Sequence, residues 1–374
     1  MCNWKRVCII VWAIFAAMIA GQASAQHDDL FVDEAELLEV LDDEDKNELV
    51  VAPIPVVNPT FGYGLAAVAM YLYKLDEGSQ QSFTAAGGAY TDSKSYGFGI
   101  AQVAHFKDDA WKIKAGAVSF KLNLEFFGIG NILGDRGISI PYTQEGWAAG
   151  ARGLRRIKGH WYGGLQYWYA SLSTTLDLSG DDVELPSELA VDSKIAGLGV
   201  MVEYDSRDNR FNPHNGSLFD ATWNYSADAI GSDFEFSSTD VTYNLYHELK
   251  PTKVLAGRAT LCLTPGDAPF YALCSFGRGN DLRGYVAGRY RDETMVTLQA
   301  EYRWNFHKKW GMVAFAGIGQ VGENLSEYTA KNILPSAGVG LRFMLSTTTK
   351  FNLSVDYAVG EDSDAVYFYV GESF

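Results

Sequence analysis

Residues 280–306 read NDLRGYVAGRYRDETMVTLQAEYRWNF, and the second half of this stretch alternates without a break. Val296, Leu298, Ala300, Tyr302 and Trp304 are apolar, while Thr297, Gln299, Glu301 and Arg303 between them are polar or charged. Successive side chains on a strand point to opposite faces, so one face is apolar and the other is wet and ionic. Soluble sheets alternate too. This apolar face differs in ending on Tyr302 and Trp304, the residue types that collect where a membrane-spanning strand meets the headgroup layer. The wet face then belongs to a lumen, and the preceding loop Leu282-Arg283-Gly284-Tyr285 carries a cation able to fold into it. Arg283 is expected inside a barrel, facing Glu301.

The first residues fix the compartment. Lys5 and Arg6 are followed by an apolar run from Val7 to Ile19 and by the small residues Ala23-Ser24-Ala25. That is the pattern of a secretory signal peptide over 1–25, with the mature chain beginning near Gln26. The competing reading, a membrane anchor, needs a run of roughly 20 apolar residues. No later stretch is apolar for long enough to span as a helix, so a membrane location requires strands. Composition agrees: 374 residues hold 21 Tyr, 21 Phe, 9 Trp and 38 Gly, yet mean hydropathy is close to zero. Lipid-facing and lumen-facing residues cancel in this way. A formal charge of −16 speaks against nucleic acid as a partner, because phosphate binding needs a basic surface.

Residues 26–50 differ from everything after them, with eleven Asp or Glu and a single Lys. They read as an acidic periplasmic leader, either disordered or weakly helical, or forming a short helix that docks on a partner protein or in the barrel mouth. Pro53, Pro55 and Pro59 break any helix there. From Phe61 onward, segments of spanning length are separated by turn-rich gaps: 61–73, 82–91, 95–106, 111–123, 146–157, 160–176, 192–206, 216–227, 233–249, 253–263, 290–306, 309–320, 334–345, 349–359 and 365–374. In the penultimate one, Phe351, Leu353, Val355, Tyr357 and Val359 oppose Asn352, Ser354 and Asp356. The expected fold is all-β: a transmembrane antiparallel barrel over 51–374. Single-chain bacterial barrels have an even number of strands. Fifteen is odd, so a sixteenth is expected within 124–143, and loop 264–289 falls on the outer side.

Cys262 and Cys274 are the only cysteines after the signal peptide, in a compartment that permits disulfides. Bridged, they would contribute roughly 3 kcal/mol; the alternative is two thiols. Val366, Phe368, Val370 and Phe374 share one face by parity and form a C-terminal assembly signal, interrupted by Glu372. His160, His214, His247 and His307 fall at turns with unrelated neighbours, so neither a metal nor any other cofactor is expected. Asp205, Arg207 and Asp208 beside Asn212-Pro213-His214-Asn215-Gly216 read as a hydrogen-bonded corner. A hydrolytic site would need its histidine at the opposite rim, so no enzyme is expected.

These segments together resemble a known family. Leu282-Arg283-Gly284-Tyr285, Gly288-Arg289-Tyr290-Arg291-Asp292 and Gln299-Ala300-Glu301-Tyr302-Arg303-Trp304 are similar to the barrel domain of the BamA/TamA superfamily, bacterial surface antigens that assemble and translocate proteins at the outer membrane. Tyr204-Asp205-Ser206-Arg207-Asp208-Asn209 with Pro213 and Gly216 resembles its periplasmic turn, and Phe126-Phe127-Gly128-Ile129-Gly130-Asn131 a further segment. The resemblance implies sixteen strands, a weak seam between first and last, and Arg283 held in the lumen by a strand glutamate and by an aspartate one strand later. Glu301 fits the first, but Gly317 stands where the second belongs, which leaves one anchor. The family's periplasmic polypeptide-transport-associated domains need roughly 75 residues each, and about 25 lie between cleavage and the first strand, so none is expected. Two functions follow: assisting insertion or translocation of unfolded polypeptides, with outer-membrane lipid around the barrel, or serving as a narrow channel or structural protein without assembly activity.

Overall fold

The computed structural model describes residues 47–374 apart from 59, 131–138, 178–187, 210–211, 278–280, 347–350 and 362. The signal peptide and most of the acidic leader lie outside the described residues. The strands are β1 (Glu48–Asn58), β2 (Gly62–Tyr73), β3 (Ser82–Thr91), β4 (Tyr96–Phe106), β5 (Trp111–Phe126), β6 (Ile140–Lys158), β7 (Trp161–Asp177), β8 (Glu188–Asp205), β9 (Gly216–Ser226), β10 (Phe236–Lys250), β11 (Lys253–Leu263), β12 (Cys274–Ser275), β13 (Arg291–Asp292), β14 (Thr294–Trp304), β15 (Trp310–Gly322), β16 (Leu334–Ser346), β17 (Phe351–Gly360) and β18 (Ser363–Val370). All but β12 and β13 form one 16-stranded antiparallel sheet in chain order. β12 and β13 pair with each other inside the long loop between β11 and β14.

Alternation decides which way each residue faces. In β14, Met295, Thr297, Gln299, Glu301 and Arg303 are buried within the barrel, and Leu298 and Trp304 are exposed outside it. Outward aromatics gather at two levels. Near the short turns, Phe106 meets Trp111, Trp161 meets Tyr204 and Phe219, Trp304 meets Phe306, and Trp310 meets Phe343. At the loop end stand Tyr63, Tyr90, Tyr96, Trp147 and Tyr225. Two such belts with apolar residues between them are the outer surface of a membrane barrel.

The sixteenth strand is β1, not a segment of 124–143; residues 140–145 are the start of β6. β1 also begins inside the stretch read as leader. Its prolines hid it. Proline lacks an N–H and is tolerated only where that position faces an unpaired edge. Pro53 and Pro55 have the same parity and both lie in the ladder with β2, so their donor-less nitrogens point to the other side. On that side Cα atoms of β18 lie within 8 Å of β1, which brings the sheet back on itself. Among the described residues no hydrogen-bonded ladder joins the two. The barrel therefore has a seam where β1 lacks two donors and β18 is only 8 residues long.

Candidate functional site: the lumen loop and its charged ring

The loop between β11 and β14 folds inward, and each contact is prepared by a small residue on the wall. Leu282 lies against Gly317 and Gly319, where an added Cβ would come within 2.8 and 2.9 Å of its methyls. Tyr285 fills the space over Gly360, where a Cβ would lie 2.7 Å from its ring. Gly284 has φ 106°, and a side chain there would meet the backbone of Val359 and Gly360. Only glycine meets both conditions. Its N–H donates to the Tyr367 hydroxyl at 2.9 Å, and its carbonyl accepts from Ser363 at 2.6 Å. Gln299 donates to the Asp281 carbonyl at 2.6 Å, and Ser336 donates to the carbonyl of Arg283.

Arg283 lies flat on Phe315, its guanidinium 3.4 Å from the ring centroid. From there it enters a closed ring of alternating charge. Arg283 Nη2 meets Glu301 Oε2 at 2.7 Å, and Glu301 Oε1 takes Arg303 Nε at 2.7 Å. Arg303 lies 3.7 Å from Glu372, which binds Arg342 Nε at 2.7 Å. Arg342 Nη1 meets Asp356 Oδ1 at 2.5 Å, and Asp356 Oδ2 returns to Arg283 Nη1 at 2.5 Å. None of the six side chains exceeds 4 % exposure. Three guanidinium groups thus balance three carboxylates. Desolvated charges hold only when matched in this way, and removing one member would cost about 3 kcal/mol or more.

Above the ring, the loop's outer arm covers the barrel mouth. Arg291 donates to the carbonyls of Gly288 at 3.1 Å and Phe270 at 3.2 Å and lies over the rings of Phe126 and Phe270. Gly130 donates to the Arg291 carbonyl at 2.7 Å. Cys262 and Cys274 are disulfide-bonded, tying the top of β11 to β12.

Residues 81–374 match the Omp85 superfamily domain. The chain belongs to the Omp85 superfamily. It is 25% identical over 185 residues to the outer membrane protein assembly factor BamA of Nitratidesulfovibrio vulgaris, covering 45% of this chain and 23% of that protein. In structure it is similar to BamA of Haemophilus ducreyi lacking POTRA domains 1–3 (TM-score 0.58, 14% identity, 87% of this chain and 69% of that one). It is also similar to CdiB of Acinetobacter baumannii (0.55, 12%, 87% and 59%) and CdiB of Escherichia coli (0.56, 11%, 86% and 61%). As an Omp85 barrel the protein is a multi-pass protein of the bacterial outer membrane.

In this Omp85 chain the second anchor of Arg283 exists but comes from elsewhere. Gly317 leaves room for Leu282, and the carboxylate is supplied by Asp356 on β17 rather than by the strand after β14. Expecting a single anchor was wrong because register places β17 beside the same loop. Arg303, Arg342, Glu372 and Phe315 also went unassigned, although Asp356 lies on the polar face read from the sequence. The shared face proposed for Val366, Phe368, Val370 and Phe374 does not hold: Val366 faces outward, while Phe374 lies past the end of β18, buried with Tyr246 and Ala256 in the lumen. Side chains of Phe368 and Val370 lie outside the description. Glu372, read as an interruption of that face, is the ring member between Arg303 and Arg342.

The turn motif forms a corner at the opposite end. Asp205 takes Arg207 Nε and Nη2 at 3.0 Å each. Asp208 accepts from the N–H groups of His214 and Asn215 at 2.9 and 3.1 Å, and Asn209 accepts from that of Asn212 at 2.8 Å. Pro213 precedes His214, whose Nδ1 lies 2.9 Å from Glu248. Gly216 at φ 105° permits the approach to Ser206.

Proposed function

We propose that this barrel assists the insertion or translocation of polypeptides at the outer membrane, using the seam between β1 and β18 and the lumen loop beside it. The observation that carries this reading is the seam itself: fifteen neighbouring strand pairs are laddered, and among the described residues the pair that closes the barrel is not. Such an edge can part at low cost and present backbone groups to an incoming strand. The relative named an assembly factor supports the same class of activity, and the chain spans 23% of that relative's length. In this reading unfolded polypeptide is the substrate, lipid surrounds the barrel, and a periplasmic protein docks on residues 26–50.

Depletion in the parent cell, followed by quantitative outer-membrane proteomics, tests it. Loss of other barrels or of secreted polypeptides is the expected result. An unchanged set of proteins with altered solute permeability would overturn it in favour of a channel. Crosslinking from residues 26–50 identifies the partner.

A further inference from the structure

We propose that the four residues after β18 are a latch on the lumen loop, so that peeling β18 from the wall and freeing Arg283 are one coupled event. The chain turns inward at Gly371, where φ is 86°. The Gly371 N–H donates to the Asn352 carbonyl at 2.7 Å, and its own carbonyl accepts from Ser354 Oγ at 2.6 Å. That turn carries Glu372 between Arg303 and Arg342, where Asn352 Nδ2 also donates to it at 2.6 Å. Phe374 follows, its main-chain oxygen accepting from Arg303 Nη2 at 2.5 Å and its ring 5.9 Å from the Arg283 guanidinium.

Glu372 binds Arg303 and Arg342, and these bind Glu301 and Asp356, the two carboxylates that hold Arg283. With Glu372 in place, the ring sets three cations against three side-chain carboxylates. Withdraw it, and the three buried cations share two side-chain carboxylates. Arg303 and Arg342 are fixed on barrel strands, so the member free to leave is the one on a loop. Arg283 is released because Arg303 and Arg342 then compete with it for Glu301 and Asp356. A second route runs through β18 itself, whose Tyr367 and Ser363 hold the backbone of Gly284. Coupling of this kind is reciprocal: release of the loop must loosen β18 by the same factor. It holds whether or not the substrate is a polypeptide.

Hydrogen-exchange mass spectrometry on the purified full-length mature barrel reads both ends at once, with retained heat-modifiable gel migration as the control for folding. Glu372→Gln is expected to raise exchange about tenfold in 281–290 as well as in 363–370. Asn352→Ala, which leaves the charge in place, should move both segments in the same direction by less, and it supplies the reading if Glu372→Gln does not fold. Arg283→Ala should raise exchange in 363–370, and the Arg283→Ala/Glu372→Gln double variant should exceed neither single variant. Exchange in 281–290 that stays within about twofold of the wild type in the tail variants would overturn the latch, as would unchanged exchange of 363–370 in Arg283→Ala or additive effects in the double variant.

Discussion

Gly317 shows how one residue can choose between two ways of holding a loop. An aspartate there would place its Cβ 2.8 Å from Leu282 Cδ1 and 2.7 Å from Gln299 Cγ, and Asp356 already fills the role. Gly317→Asp is therefore expected to loosen the loop by about 1–3 kcal/mol through overpacking, although it restores the residue that resemblance calls for. Limited trypsin digestion at Arg283, Arg289 and Arg291 checks this; a loop as resistant as in the wild type would contradict it. Tyr285 sets a pH limit. Burial pushes its hydroxyl from 10.0 up to about 12, while it donates to the Pro335 carbonyl at 2.5 Å and accepts from the Glu361 N–H at 3.1 Å. A phenol whose pKa is raised by folding contributes stability that is complete below its unfolded value and is lost as pH rises through the folded one. Loop packing should weaken between pH 10.0 and about 12. A near-UV dichroism titration should show that transition in the wild type and a smaller one in Tyr285→Phe, and identical alkaline curves would rule it out.

At the scale of the element, β1 is a strand whose weakness is written on one side only. Its ladder with β2 runs unbroken from Glu48 to Asn58, so the prolines cost nothing there. Toward β18 they remove two adjacent donors of the same parity. Replacing both, Pro53→Ala with Pro55→Ala, should allow up to two new hydrogen bonds across the seam, each worth about 1 kcal/mol. The double variant is expected to migrate as a folded barrel to a higher temperature on semi-native gels and to show slower amide exchange in β18. If the proposed function holds, the tightened seam should also lower activity. A melting profile equal to that of the wild type would show that another feature keeps the seam open.

For the whole molecule, wall and loop are held by different interactions and meet at β18. The sheet is held by backbone ladders from β1 to β18, whereas the loop is held by side chains, the ring, one disulfide and glycine-sized gaps. Arg283→Ala should therefore leave heat-modifiable barrel intact while loop 264–289 becomes protease-sensitive; an unfolded barrel, or a loop still protected, would contradict that division. The sequence by itself determined the wall, because a strand's facing has period 2 and an apolar face ending in aromatics can be read locally, as in Val296 to Trp304. It also determined that Arg283 meets Glu301, since loop and strand are adjacent in the chain. It could not reveal β1, where prolines erase the strand signal and the unladdered edge that tolerates them exists only once the sheet has curled to bring β18 beside β1. Nor could it show that Glu372 and Phe374 turn inward, because parity runs on past Val370 in the sequence while the backbone bends at Gly371. The charged ring joins residues up to 89 positions apart, from Arg283 to Glu372. Only register brought them together, and only burial made it necessary that their charges match.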